Sequence, residues 1–439
     1  MPDIGQPLRA GLLAAALLWV PTAVHAQLTV QITKGVTTPI PVAVVPFGAV
    51  AGNAAPPLDV AQVIQQDLER SGRFAGLPRT SMLQRPTSGA GLDIAQWRLL
   101  KTDFVVIGRV AAEAGRDAVQ FELYNVVTGE RLLGYSIPAA PGAVRLAAHR
   151  AADLVYEKIL GVPGAFATRI AYVNVQGRIP ARRYRLIIAD ADGENAQVVL
   201  ESHEPIMSPA WSPDGARLAY VSFEDRMSAV YVQGLQSGAR ERVSGRAGVN
   251  GAPAWSPDGQ RLALTLSQRD GNVDIFVLDL ATRALLRVTD DPAIDTEPCW
   301  APDGRALYFT SDRAGGPQVY RIALAPGERP RRVTFEGAYN ARPRVSPDGS
   351  QLAVVTLDQG AYRIAAVDLA TGRSRVLSAG RLDQGPSFAP NGQTVLYAAH
   401  EGGRGVLATV AIDGSVTSRI SAAEGDVREP AWSPVQAGL

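Results

Sequence analysis

From about residue 166 onward the chain alternates short apolar runs with Pro, Gly and Asp turns. Runs such as Arg217-Leu218-Ala219-Tyr220-Val221-Ser222 and Ala306-Leu307-Tyr308-Phe309-Thr310-Ser311 read as half-buried or buried strands. Two more runs follow each of these kinds of stretch: 274–280 then 285–289, and 318–324 then 331–335. The grouping repeats. Pro209-Ala210-Trp211-Ser212-Pro213-Asp214-Gly215 returns as 253–259 (PAWSPDG), 298–304 (PCWAPDG), 343–349 (PRVSPDG) and 386–392 (PSFAPNG), with a cut-off copy at 430–434 (PAWSP). Between opening prolines the steps are 44, 45, 45, 43 and 44 residues, the size of one four-stranded propeller blade.

The motif carries its own turn. In Ser-Pro-Asp-Gly the proline presets φ at the second position, a small polar residue stands third, and Gly closes a type I turn. Its aspartates therefore read as scaffold rather than as a metal or catalytic loop. Five motifs are each followed by three strands. Three strands without a motif precede them (170–175, 184–189 and 197–200), and a motif without strands ends the chain. Joining the two makes Pro430-Ala431-Trp432 the inner strand of the first blade. The result is a six-bladed ring closed by the C-terminal strand, with no free sheet edge.

Residues 27–165 follow another pattern. A strictly alternating stretch, 28–33, precedes a Thr/Pro/Gly connection at 34–41 and an apolar strand at 42–47. Asp59 caps an expected helix to about Ser71, with Val60, Val63, Ile64 and Leu68 on one face and Gly72 as its stop. A strand at 104–110, a hairpin of 118–126 and 131–135 around Thr128-Gly129, and a helix at 143–160 follow. This is a small α/β domain of β-α-β-β-α character. Ser88-Gly89-Ala90-Gly91 follows no strand, so it makes a weak nucleotide loop.

Composition narrows the function. Lys+Arg 43 against Asp+Glu 42 gives no basic field, so no nucleic-acid partner is expected. Residues 1–26 read as a signal peptide: Arg9, an apolar run at 10–20, Pro21, and Val24-His25-Ala26 with cleavage after Ala26. Residues 27–439 then form an exported protein without membrane insertion. Cys299 has no partner for a disulfide, and His25, His149, His203 and His400 show no metal-ligand spacing. No cofactor or metal is expected, although an acidic channel mouth leaves room for a weak calcium ion.

In a propeller the residues entering the inner strands surround one mouth of the channel. Here they are Ser208, Ala252, Glu297, Arg342, Gly385 and Glu429, preceded by Met207, Gly251, Thr296, Ala341, Gln384 and Arg428. One step further out stand Ile206, Asn250, Asp295, Asn340, Asp383 and Val427. Read as accessible loops, they form a polar ring of mixed charge that suits a protein epitope better than an apolar pocket. They read equally well as ordinary solvated loops.

Domain order and motifs together resemble the TolB family, the periplasmic component of the Tol-Pal system of Gram-negative bacteria. The resemblance covers the mature chain and rests on 168–173 (TRIAYV), 207–215 (MSPAWSPDG), 250–259 (NGAPAWSPDG), 295–300 (DTEPCW), 317–320 (PQVY) and 430–434 (PAWSP). It implies a non-enzymatic protein, a monomer by itself, that serves outer-membrane integrity and envelope constriction in division. Its propeller would bind the lipoprotein Pal at the mouth through Met207, Ser208, Asn250, Gly251, Thr296, Glu297, Asn340, Arg342, Gln384, Arg428 and Glu429. The mature N-terminus, Gln27, Leu28, Thr29, Val30, Gln31, Ile32 and Thr33, would pass to the inner-membrane partner TolA. That stretch reads either as an edge strand of the small domain or as a detachable strand that joins a partner sheet. Where the family often carries a histidine, this chain has Val249.

An exported propeller hydrolase, or a lactonase with a metal in the channel, is the rival reading. No Gly-x-Ser-x-Gly elbow occurs in the chain. Glu297 and Glu429 fall on opposite sides of a six-fold ring with Arg342 beside one of them, which disfavours a tight divalent site. Asp190-Ala191-Asp192-Gly193-Glu194-Asn195 superficially looks like a calcium loop but fits a hairpin turn between two strands better.

Overall fold

A computed structural model describes residues 38–49, 58–113, 116–268, 271–420 and 425–435. The expected signal peptide and the alternating stretch 28–33 lie outside the described residues. Among the described residues the α/β domain opens with β1 (Ile40–Val44), β2 (Gly48–Ala49) and α1 (Val60–Arg70). Asp59 starts α1 as expected, its carboxylate accepting from the Gln62 N–H at 3.0 Å. Val60, Val63, Ile64 and Leu68 are buried, but so is Asp67 on the same helix. Beyond α1 come β3 (Phe74–Gly76), α2 (Ile94–Leu99), β4 (Phe104–Glu113), β5 (Arg116–Asn125), β6 (Arg131–Ala139) and α3 (Val144–Leu160). Gly161 ends α3 in the left-handed region at φ 74°.

The sheet order is β3-β1-β4-β5-β6, with β1 parallel to both neighbours and β4, β5 and β6 antiparallel. Helices α1 and α3 cover one face through Val63, Ile64, Leu68, Ala148, Ala151 and Val155. On the other face Trp97 of α2 packs with Val105 and Ile107. Three of these elements, β2, β3 and α2, were not expected from the sequence. Each is too short to show a period, and tertiary packing holds it. Ser88 leads into a 3₁₀ turn at Gly89–Gly91.

The propeller is six four-stranded antiparallel sheets. The first blade holds β7 (Arg169–Gln176), β8 (Arg183–Asp190) and β9 (Gln197–Ser202). Its inner strand is the C-terminal Asp426–Trp432, which pairs Asp426 with Val175 and Trp432 with Ile170. Closure is completed by the Ser433 N–H donating to Arg169 O at 2.8 Å and by the Arg169 N–H donating to Ser433 Oγ at 2.9 Å. The inner strands of the second to sixth blades are Ile206–Trp211, Asn250–Trp255, Asp295–Trp300, Asn340–Val345 and Gln384–Phe388.

The repeated motif does two jobs. In the turn, the Gly215 N–H donates to Ser212 O at 2.9 Å, Ser212 Oγ donates to Asp214 Oδ1 at 2.5 Å, and the same carboxylate oxygen accepts from the Ala216 N–H at 3.0 Å. These bonds, with the Ser212 hydroxyl foremost, hold the Asp214 carboxyl below its usual range, as the scaffold reading requires. Between blades, the tryptophans stitch. Trp211, Trp255 and Trp300 donate Nε1–H to the carbonyls of Ala431, Ala210 and Ala254 on the preceding inner strand, at 3.1, 3.1 and 3.0 Å. Arg169, Arg217 and Arg261 from the preceding blade lie over those rings at 5.1, 4.5 and 4.8 Å.

Deleting residues 427–439 should therefore open the ring, since it removes the inner strand of the first blade and the Trp432 anchor. Truncating a core Trp alone costs about 3–5 kcal/mol. Thermal unfolding followed by circular dichroism should fall well below that of the full chain, and an unchanged midpoint would contradict the closure.

Candidate functional site: the channel mouth

The residues expected as loops at the mouth belong to the inner strands themselves. In every blade the ladder skips at the same place: Met207 faces Val221 and Ala210 faces Ala219, so Ser208 and Pro209 share one opposing residue. The same skip occurs at 251–254, 296–299, 341–344, 384–387 and 428–431. Proline has no N–H to give the ladder, and a β-bulge takes it out of register. The residue before it turns left-handed: Ser208 φ 51°, Ala252 44°, Glu297 56°, Arg342 55°, Gly385 62° and Glu429 52°. Five of the six bear a side chain there, at a cost of about 1–2 kcal/mol each.

The blades recover part of that cost by satisfying the turned backbone. The Glu297 N–H donates to Thr265 Oγ1 of the preceding blade at 3.2 Å. One blade on, the Arg342 N–H donates to Thr310 Oγ1 and to Glu297 Oε2, each at 3.0 Å. Thr310 Oγ1 in turn donates to Glu297 Oε2 at 3.1 Å.

At the axis, Arg342 bridges both glutamates, where the sequence reading had it beside only one. Its Nε donates to Glu297 Oε1 at 2.8 Å, and its Nη1 reaches Glu429 Oε1, two blades further on, at 3.2 Å. On the intervening blade Gly385 takes the left-handed position, where a Cβ would stand 3.2 Å from Pro430 Cδ. Glu429, and then Glu297, raise the guanidinium further above its ordinary value despite its burial. A cation already spans the place where a channel metal would use these carboxylates.

The outermost positions need a correction. Asn250 and Asn340 are buried, at 1 % exposure each, rather than presented at the mouth. Asn250 accepts from Ser244 Oγ at 2.7 Å and from the Arg246 N–H at 3.0 Å, and donates to Arg246 O at 2.7 Å. Asn340 donates to Gln318 Oε1 at 3.0 Å and to Glu336 O at 2.8 Å. Buried Asp295 accepts from Arg313 Nη2 with both carboxylate oxygens, at 2.9 and 2.8 Å. These side chains tie down the approach to the strands. Met207, Gln384 and Arg428 are exposed, and Ser208, Gly251, Thr296, Glu297, Arg342 and Glu429 are half-exposed. Beside them a cavity of about 560 Å³ runs along the first and sixth blades, lined by Tyr184, Ile206, Leu382, His400 and Val427. Val249 is exposed, at 44 %.

Two further sequence readings resolve. Cys299 is half-buried, and desolvation pushes its thiol above the usual range, which disfavours the thiolate form that a nucleophile needs. The Asp190–Asn195 stretch is a hairpin turn, with the Gly193 N–H donating to Asp190 O at 2.8 Å. Among the described residues, a group of His and acidic side chains close enough to hold a metal is Asp67, His149 and Asp192, at the domain boundary rather than in the channel. Residues 82 and 125 positions apart share that cluster, a distance local spacing does not reveal.

The chain is a small α/β domain followed by a six-bladed propeller whose mouth is polar, with Arg342 shared by two carboxylates. Residues 28–132 match the TolB amino-terminal domain family and residues 156–436 match the TolB beta propeller domain family. The Tol-Pal system protein TolB of Thioalkalivibrio sulfidiphilus is 54% identical over 436 residues, covering 99% of each chain. That of Xanthomonas campestris pv. campestris strain B100 is 49% identical, covering 98% of each. The crystal structure of TolB from Acinetobacter baumannii superposes with a TM-score of 0.84 at 40% identity, covering 92% of this chain and 98% of that one. The chain belongs to the TolB family, a non-enzymatic component of the Tol-Pal system.

Replacing Arg342 by Met should leave Glu297 and Glu429 unpaired at the axis. Breaking a fully buried pair costs about 3–5 kcal/mol, and the partial exposure of this trio reduces the expected loss to roughly 2–3. Glu297→Gln and Glu429→Gln added to Arg342→Met should restore most of the melting temperature. Equal melting of Arg342→Met and the parent would show that the trio carries no stability.

Proposed function

We propose that the chain acts in the periplasm as the interaction component of the Tol-Pal system, exported by residues 1–26 with cleavage after Ala26. It binds the lipoprotein Pal through the channel mouth and the inner-membrane protein TolA through Gln27–Thr33. In this role it serves outer-membrane integrity and envelope constriction during division, with no nucleic-acid partner and as a monomer by itself. The observation that carries the reading is the repeated bulge. It fixes Met207, Ser208, Gly251, Thr296, Glu297, Arg342, Gln384, Arg428 and Glu429 on strand backbone at one mouth. A partner then meets groups that need little ordering, so less of the contact energy is lost to entropy. Asn250 and Asn340 contribute by holding their loops, and Val249 offers an apolar contact.

Glu297→Lys sets two cations side by side and should cost Pal binding about 2–5 kcal/mol where the contact is desolvated. Glu297 also pairs within the ring, so Met207→Asp is the companion variant. Met207 is exposed, at 38 %, and stands outside the Glu297–Arg342–Glu429 trio. Asp258→Asn, in a turn at the far end of its inner strand, should leave binding unchanged. Full Pal affinity by calorimetry in both mouth variants would move the site to the outer blade faces.

Removing Gln27–Thr33 should abolish TolA binding and leave Pal binding intact or stronger. Loss of both together would make that segment structural.

A further inference from the structure

The boundary between the α/β domain and the propeller holds a buried histidine whose two ring nitrogens face different domains. All described residues fall in one compact unit. His149 of α3 is 1 % exposed. Its Nδ1 lies 2.6 Å from Asp67 Oδ2 of α1, within its own domain. Its Nε2 points at the turn after β8 in the first blade, 4.0 Å from Asp190 Oδ2 and 3.8 Å from Asp192 Oδ2. That nitrogen is buried and has no hydrogen-bond partner.

Asp67, Asp190 and Asp192 face it with three carboxylates. Arg70 pairs with Asp67 at 2.5 Å, Arg145 contacts both Asp190 and Asp192, and Arg169 of the first blade acts on Asp190. The need for a further cation is local: the buried Nε2 lies near two carboxylates with no hydrogen bond to either. Neutral His149 turns its Nε2 lone pair toward them across the boundary, whereas the imidazolium is drawn to them. Asp153, also on α3, is a further titratable neighbour, acted on by Asp67 and His149. It accepts from the N–H groups of Phe166 and Ala167 at 2.7 and 3.0 Å and ties the helix to the segment leading into the propeller.

We propose that His149, with Asp67 behind it and Asp190 and Asp192 before it, is a proton-operated latch holding the α/β domain on the first propeller blade. Protonation tightens the docking, and loss of the proton loosens it. The surrounding groups agree in direction. Burial opposes the charge on His149, but the Asp67 hydrogen bond and the carboxylates raise it above its ordinary 6.5. Docking stability from His149 is therefore fully present below 6.5 and is lost as pH rises through the raised value. Burial lifts Asp153 to about 6, so its own contribution is lost between 3.8 and about 6, leaving the alkaline side to His149. Each unit by which the docked value exceeds the undocked one shifts the docking equilibrium about tenfold. This inference goes beyond partner binding and is independent of it.

The test uses the full mature chain. The His149 ring signals, assigned by comparison with His149→Gln, are titrated by NMR. Hydrogen exchange of the turn at residues 190–195 and of α1 is measured across the same range, normalised to the chemical rate and to the turn at 212–215. The expected result is a midpoint above 6.5, lowered in both Asp192→Asn and Asp190→Asn. Boundary protection should fall several-fold as pH rises through that midpoint. In His149→Gln the fall should vanish. A midpoint at or below 6.5, a midpoint unmoved by both Asp variants, or protection with the same pH dependence in His149→Gln would each overturn the latch. Two independent Asp variants keep the outcome readable should one of them fail to fold.

Discussion

A proline inside a paired strand cannot complete the ladder, and six such prolines organise the ring. Each forces a bulge, and each bulge turns one residue left-handed just before the proline. The strain of one such residue is small, but it recurs around the circle and must be held by the neighbouring blades. Threonine hydroxyls take the turned N–H groups of Glu297 and Arg342, and tryptophan N–H groups take inner-strand carbonyls of Ala431, Ala210 and Ala254. Blade-to-blade cohesion therefore includes directional bonds as well as apolar packing. The fourth and fifth motifs, on the fifth and sixth blades, carry Val345 and Phe388 in place of the tryptophan, and the sixth blade meets the first through the Trp432 backbone N–H on Ser387 Oγ at 2.9 Å.

The same backbone distortion builds the mouth. Left-handed positions redirect Glu297, Arg342 and Glu429 to the axis, where one guanidinium serves two carboxylates from different blades. A charged trio shared by three blades locks their relative positions at this end of the channel. It also leaves each carboxylate with acceptor capacity for a docking partner. Surface recognition and ring integrity thus draw on the same atoms, which is why a variant meant to test binding there needs a neighbour outside the trio.

The other contact of the propeller is arranged differently. The mouth shares one guanidinium between two carboxylates, whereas the domain boundary leaves the buried Nε2 of His149 near two carboxylates without a hydrogen bond. Asp67 stands in the apolar register of α1, a break in the helix pattern of the kind that functional or strained positions show. Around it, Arg73 pairs with Asp413 at 3.1 Å and Asn391 Nδ2 donates to Pro163 O at 3.0 Å, so the boundary is polar as well as apolar. Interfaces of this composition respond to charge more readily than a dry core does.

Repetition made the propeller legible in the chain. A period set by one blade, a turn whose residues fit a single geometry, and a motif missing its strands at the end of a chain that begins the ring with strands missing their motif leave one closed arrangement. The two long helices of the α/β domain were equally open to reading, because caps, stops and apolar faces are local. What needed the tertiary structure was whatever depends on residues distant in sequence. Short elements such as β3 and α2 exist because the core has room for them. Asn250 and Asn340 look like mouth residues by position, yet they turn inward because nearby loop carbonyls and side chains are their partners. Arg342 reaches Glu429, 87 positions away, only because the ring closes. His149 meets Asp67 and Asp192 only when two domains dock. Local chemistry and period suffice for strands, turns and blade count, but charges find their partners across the fold, and those distances are set by packing.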